Sequence, residues 1–93
     1  MRRFSPPFPL GHIVVTPPAE ECLSSEEITW ALRRHARGDW GEIRADEVQA
    51  NNLALIEGRC VASFFRDQCQ RRFCVLTDGP RTMTLVMSYP DRG

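Results

Sequence analysis

Apolar and polar residues alternate in a way that divides the first part of the chain into a strand and a helix. A β-branched run at residues 12–16 predicts the strand, which two prolines end. Residues 19–23 are expected to make a single helical turn. Apolar residues then recur at helical spacing within 28–35 and predict the first full helix. Ser24 and the glutamate three residues later fit a capping box at its start, and Gly38 is typical of the position just after a helix.

The second half of the chain predicts one more helix and three strands. Acidic residues open the helix at about Ala45, and it ends at Glu57, before a glycine. Strands are predicted over 60–66, 72–77 and 82–88, separated by polar or Gly-Pro turns. Short connections favour antiparallel pairing. The order β-α-α-β-β-β therefore predicts an α+β fold, a small antiparallel sheet with two helices packed on one face.

The length of 93 residues predicts a single domain. We place it at residues 10–90, after a Pro-rich N-terminal tail (1–9) and before a short C-terminal tail (91–93). The first ten residues contain three prolines and no continuous apolar stretch, so they do not resemble a signal peptide. No run of apolar residues approaches the length of a membrane span. We therefore expect a cytoplasmic protein with no membrane partner.

Charge is balanced along this chain, with twelve basic and twelve acidic residues. Every basic residue is arginine. Strong sequence-independent binding to nucleic acid usually needs a surplus of positive charge, which is absent here, although a local patch would serve. Two groups of arginines, at the junction of the helices and along the first hairpin, are candidates for contact with a partner or with nucleic acid: Arg33, Arg34, Arg37 and Arg44, then Arg66, Arg71 and Arg72.

The cysteines and histidines do not have the spacing of a known metal site. None of the four cysteines forms a C-x-x-C pair, and neither histidine stands in register with them. The chain also lacks the Gly-rich motifs that bind nucleotides. We therefore predict no metal, no cofactor and no catalytic residue.

The most distinctive segment is His35-Ala-Arg-Gly-Asp-Trp-Gly41, an HxxGDWG string. A catalytic interpretation would pair His35 as a base with Asp39. We favour a structural one, in which His35 completes the apolar stripe, Asp39 caps the loop and Trp40 enters the core. Asn51 and Asn52 lie inside the second helix, and whichever of them is buried would find its hydrogen-bond partners in the loop 38–41. The structural motif thus comprises His35, Gly38, Asp39, Trp40, Gly41 and Asn51.

This motif resembles a family of small uncharacterised proteins carried on bacterial plasmids and integrative elements. Some of them are called plasmid-related proteins, others type I restriction endonuclease subunit M. The matching segments are 10–17, 34–41, Ala50-Asn51, Ala54-Leu55, Gly58, 75–77, Arg81 and Thr84. The resemblance implies a mobile-element origin and no defined activity. A methyltransferase role does not fit, because the chain is too short for a doubly wound cofactor-binding sheet.

These observations predict a non-catalytic module that binds a host protein or protein complex, for example an inhibitor of CRISPR or restriction defence. Its interface would use an exposed strand edge, Trp30 or the Arg-rich junction near Trp40. One alternative is a small nucleic-acid-binding regulator that uses the arginine surface. Another is a hydrolytic enzyme that uses His35 and Asp39. The sequence makes no prediction of the oligomeric state.

Overall fold

The computed structural model describes residues 7–88, which form a four-stranded sheet and three helices. The elements are β1 (His12–Val15), α1 (Pro17–Cys22), α2 (Ser25–Ala36), α3 (Ala45–Glu57), β2 (Val61–Arg66), β3 (Arg72–Thr77) and β4 (Met83–Ser88). The predicted α+β class is confirmed. Most of the predicted N-terminal tail (residues 1–6), the end of the predicted domain (89–90) and the predicted C-terminal tail (91–93) lie outside the described residues.

The sheet is mixed, because one of its three strand pairs is parallel and the other two are antiparallel. Its order is β1-β4-β3-β2. The three C-terminal strands form an antiparallel meander, as predicted, whereas β1 pairs with β4 in parallel. Tight turns dictate antiparallel pairing only for strands that follow each other directly. Three helices separate β1 from β2, so no hairpin sets its direction.

Local sequence signals set the ends of the helices. Oγ of Ser24 accepts a hydrogen bond from the Glu27 N–H (3.1 Å), and Oε1 of Glu27 accepts one from the Ser24 N–H (2.8 Å), which is the predicted capping box of α2. Two prolines occupy the first turn of α1, where their missing N–H groups cost nothing. The α3 helix ends at Gly58 in the left-handed conformation, with φ of 73°.

One face of the sheet carries the core, and α1 and α2 cover it. Their buried side chains join the inward residues of the strands in one cluster: Ala19, Leu23, Ala31, Phe65, Phe73, Val75 and Val86. The α3 helix lies at the β2 edge of the sheet, where Ala54, Trp40 and Val61 form a second cluster. No helix within residues 7–88 is long and apolar enough to cross a bilayer.

Candidate functional site

His35 lies at the centre of a buried chain of hydrogen bonds between α2 and the sheet. Its side chain is fully buried. Nδ1 lies 2.5 Å from Oγ of Ser63, and Nε2 lies 2.8 Å from Oγ1 of Thr77. From Thr77 the chain continues to Oγ1 of Thr84 at 2.7 Å, and Thr84 donates to the carbonyl of Leu10 at 2.7 Å. These contacts tie α2 to the three strands of the meander and to the segment before β1.

Counting protons along this chain gives each group its role. The only hydroxyl proton of Thr84 goes to the Leu10 carbonyl, because a carbonyl only accepts. Thr84 must then accept from Thr77, and Thr77 must accept from His35. His35 therefore carries a proton on Nε2, and in the neutral imidazole Nδ1 then accepts from the hydroxyl of Ser63.

The surroundings of His35 keep it neutral. Burial and the nearby Arg81 guanidinium lower the pKa of His35 from 6.5 to about 4. The rings of Phe8 and Trp40 pack edge-on against the imidazole, with centroids 5.3 and 5.6 Å away. The imidazole is thus enclosed on every side by the core, and no substrate reaches it.

Asp39 is not the partner of His35. Its carboxylate accepts two hydrogen bonds from Arg34, at 2.7 and 3.1 Å, and one from the Gly41 N–H at 3.2 Å. The Arg34 hydrogen bonds hold the pKa of Asp39 below its usual value. Asp39 thus caps the loop, as the structural interpretation of the motif expects, and the base-and-orienter pair of a hydrolytic site is not formed.

The remainder of the motif covers the free edge of β2. The Trp40 carbonyl accepts from the Phe64 N–H (3.0 Å), the Glu42 N–H donates to the Phe64 carbonyl (2.7 Å), and Gly41 bridges Phe64 in parallel between them. Gly41 has a φ of +76°, and a Cβ there would lie 2.1 Å from the Phe64 carbonyl oxygen. Only glycine allows so close an approach. The edge is thereby closed to other strands.

The two asparagines of α3 have different partners. The Asn51 amide donates to the Ala62 carbonyl (2.8 Å) and accepts from the Ala62 N–H (3.4 Å). It is Asn52 that accepts a hydrogen bond from the indole of Trp40, at 2.9 Å. No described strand lies beyond β2 at this edge of the sheet, and the side-chain amide of Asn51 satisfies both the N–H and the carbonyl of Ala62.

Carboxylates hold several of the described arginines in place. Five form ion pairs with carboxylates: Arg34 with Asp39, Arg44 with Asp46, Arg59 with Glu57, Arg66 with Glu42, and Arg71 with Asp67. Arg72 lies opposite Arg66 across the β2–β3 pair, and its guanidinium lies 5.0 Å from the centre of the Phe64 ring. Arg33 on α2 and Arg37, the residue just after that helix, make no ion pair with any residue between 7 and 88.

The second face of the sheet is covered by no helix among the described residues, and we call it the open sheet face. Its apolar members are Val14, Ala62, Phe64, Cys74, Leu76, Met83, Leu85 and Met87. Along β4, Thr84 and Val86 are fully buried on the inner face, while Met83, on the opposite face, is 40 % exposed. Burial raises the pKa of the Cys74 thiol to about 11, so it stays protonated.

The sequence predicted neither the hydroxyl partners of His35 nor the apolar row on the open sheet face. The partners of His35 are hydroxyls at alternate strand positions, Ser63 between Val61 and Phe65 and Thr84 two residues before Val86, each flanked by inward apolar side chains. The alternation of hydroxyl and apolar side chains along these strands is present in the sequence. It did not show that the hydroxyls form the inner row of β4 and the methionines and leucine the outer one.

No group of three His, Cys, Asp or Glu side chains able to hold a metal ion occurs in the part of the chain that the structure describes. No protein-family model, no curated protein and no solved structure matches the chain.

Proposed function

We propose that this protein is a non-catalytic protein-binding module that docks a partner protein on its open sheet face. The observation that carries the proposal is that β4 places its most apolar row of side chains on the outer face of the sheet. Thr84 is fully buried, while Met83, Leu85 and Met87 lie on the face that no described helix covers. A strand that places its most apolar row outward leaves that row to be covered by another molecule.

The size and chemistry of the open sheet face fit a protein partner. Four strands about 4.8 Å apart, each rising about 3.3 Å per residue, give a face of roughly 400 Å². Its most exposed large apolar side chains are Val14 and Met83, at 36 % and 40 %, whereas Cys74 near its centre is buried. Within the described residues its ionisable side chains are His12, Arg66, Arg72 and the protonated Cys74. The face thus suits an apolar partner surface, with carboxylates toward the arginine end.

The buried motif supports the non-catalytic part of the proposal. Both ring nitrogens of His35 are engaged inside the core, and Asp39 is held by Arg34. A general base must reach the proton that it abstracts. His35, buried and hydrogen-bonded through both ring nitrogens, does not meet this requirement, and Asp39 does not lie beside it as an orienter.

The resemblance of the HxxGDWG string to proteins of plasmids and integrative elements suggests where the partner comes from. We propose a host protein or protein complex in the bacterial cytoplasm. Small proteins of mobile elements that act without catalysis commonly do so by occupying a host macromolecule. A component of a CRISPR or restriction system is therefore the first class of partner to test.

The test is a comparison of captured proteins between two double variants. Leu85→Ser/Met87→Ser removes two apolar side chains from the open sheet face. The matched control, Leu53→Ser/Ile56→Ser, removes two from α3 that are 50 % and 82 % exposed. Each is immobilised, cross-linked in bacterial lysate and analysed by mass spectrometry. We expect partners that the wild type and the α3 control retain and the sheet variant loses.

Equal capture by the two double variants would contradict the proposal. If Leu85→Ser/Met87→Ser fails to fold by circular dichroism, the more exposed pair Val14→Ser/Met83→Ser replaces it, since these side chains are 36 % and 40 % exposed. Sedimentation of the purified wild type shows whether a second copy of the chain takes the partner's place.

Nucleic acid is the alternative partner, and the ion pairs argue against it. Arginines already neutralised by carboxylates release fewer counterions from a phosphate backbone. A polarisation titration with a single-stranded oligonucleotide over a range of salt concentrations separates the two. Tight binding that weakens steeply with salt would favour the nucleic-acid alternative.

A further inference from the structure

Two adjoining grooves run along the exposed side of α2, away from the open sheet face. The larger, of about 420 Å³, is lined by Glu26, Thr29, Trp30 and Arg33, among others. The smaller, of about 280 Å³, lies between α2 and the segment that precedes β1. Thr29 and Arg33 border both, so one ridge of the helix separates them.

The smaller groove is apolar, and its walls are held in place. Pro7 and Leu10 form one wall, and Leu32 and Ala36 of α2 form the other. The Phe8 N–H donates to the Ala36 carbonyl at 2.9 Å, and this fixes the segment along the helix. On the far side of the segment, the Leu10 carbonyl accepts from Thr84. A groove that exists before binding saves the ordering cost that a mobile one would add.

The rim of this groove carries positive charge that no carboxylate of the described residues neutralises. Arg33 and Arg37 are one helical turn apart and border the smaller groove. Neither makes an ion pair with a residue in the range 7–88, whereas the neighbouring Arg34 is held by Asp39. Glu26 lies at the other end, in the larger groove. The rim therefore favours carboxylates near Arg33 and Arg37 and disfavours them near Glu26.

Trp30 adds a rigid aromatic surface between these charges. It is 44 % exposed. The Arg34 guanidinium lies 4.7 Å from its ring centre, and the Phe65 ring packs edge-on at 5.3 Å. An exposed tryptophan that its neighbours hold in one orientation, flanked by arginines, has the composition of a binding hot spot.

We propose that the two α2 grooves bind an acidic linear segment of a protein. An aliphatic side chain of that segment enters the smaller groove, and carboxylates on either side of it pair with Arg33 and Arg37. The rest of the segment packs against Trp30. This site is separate from the open sheet face and does not depend on it. Apolar walls and two unpaired arginines suit such a segment better than a nucleic acid, which needs a longer row of cations.

The probe is a short fluorescein-labelled peptide that alternates glutamate with leucine, measured by fluorescence polarisation. Binding should change the fluorescence emission of the exposed Trp30. Trp40 is buried at 3 % exposure, so its emission should stay constant as background. We expect saturable binding, and no binding of peptides in which lysine replaces glutamate or serine replaces leucine. Arg33→Glu/Arg37→Glu should weaken binding by about tenfold or more. The control Arg44→Glu/Arg59→Glu, with the same change in net charge, should leave it unchanged.

Several results would overturn the proposal: no binding of the glutamate–leucine peptide at millimolar concentration, equal binding of the lysine peptide, or equal losses in the two double variants. An oligonucleotide that binds tightly and is lost in Arg33→Glu/Arg37→Glu would assign the grooves to nucleic acid. If that variant is unfolded, Arg33→Gln/Arg37→Gln takes its place. Leu85→Ser/Met87→Ser should bind the peptide normally, so failure here and failure at the open sheet face are told apart.

Discussion

His35 and Thr77 are 42 residues apart in the sequence, yet Nε2 of one and Oγ1 of the other lie 2.8 Å apart in the core. This contact joins α2 to the centre of the sheet. Through Thr84 it also reaches the backbone of Leu10, which forms a wall of the smaller groove. The buried polar chain thus positions both candidate surfaces: it holds Thr84 inward, so that the outer row of β4 lies on the open sheet face, and it fixes the segment along α2.

Removing the imidazole should destabilise the fold strongly. His35→Phe leaves the buried hydroxyls of Ser63 and Thr77 without their partner, and we expect a loss of about 2–4 kcal/mol in the free energy of unfolding. Urea denaturation measures it. The exposed His12→Phe is the control and should change stability by less than about 0.5 kcal/mol. A His35→Phe variant as stable as the wild type would remove the central role of this chain.

Acid should destabilise the protein over a defined interval of pH. The pKa of His35 is about 4 in the folded protein and about 6.5 when exposed. Between these values the unfolded chain binds a proton that the folded chain does not, so stability falls as the pH falls. The full difference corresponds to about 3 kcal/mol. Denaturation at several pH values between 6.5 and 4.5 should show this slope, and His35→Gln should reduce it. An unchanged slope in that variant would contradict the assignment.

The tautomer of His35 gives a direct spectroscopic test of the proton count. Long-range proton–nitrogen correlation spectra at neutral pH should place the ring proton on Nε2, with slow exchange into solvent because the ring is buried. His12 on the exposed edge strand provides the rapidly exchanging reference. A proton on Nδ1 would reverse the direction of every hydrogen bond from Ser63 to Thr77.

Two glycines with nearly the same backbone angle should respond differently to alanine. Gly41 has a φ of +76° and Gly58 a φ of +73°, so both substitutions carry the strain of a left-handed residue, about 1 kcal/mol. At Gly58 nothing lies within 4 Å of an added Cβ, whereas at Gly41 the Cβ meets the Phe64 carbonyl. We expect Gly41→Ala to cost at least about 2 kcal/mol more than Gly58→Ala in thermal or urea unfolding. Equal losses would mean that the motif does not seal the β2 edge.

Several elements could be predicted to the residue, because their signals are local. The bounds of α3 and β3 match the predicted ranges, and the capping box at Ser24 is present. The parallel pairing of β1 could not be predicted in this way, since it depends on where three intervening helices leave the chain. The short helix α1 covers Pro17–Cys22 where a single turn over 19–23 is predicted, so it begins two residues earlier, with the two prolines in its first turn.

In the candidate site, too, the sequence pointed to residues with local signals and not to contacts between distant residues. The sequence singled out His35, Asp39 and Trp40, and the structure places His35 and Trp40 in the core and Asp39 in the loop as a cap. It also named Trp30 and the arginines of α2 as surface candidates. Which arginines remain unpaired was not visible, because an arginine such as Arg66 finds its carboxylate 24 residues away.

By itself the sequence determined the α+β class and the ends of most helices and strands, and it favoured a structural role for the HxxGDWG segment. Caps, breakers and side-chain periodicity act over a few neighbouring residues, so these signals can be read locally. Only the tertiary structure decided which side of β4 faces inward. Thr84 and Met83 alternate in the chain without a preferred side, and a buried imidazole that needs hydroxyl partners draws the threonines in. The apolar row is then left on the open sheet face, where a partner is proposed to bind.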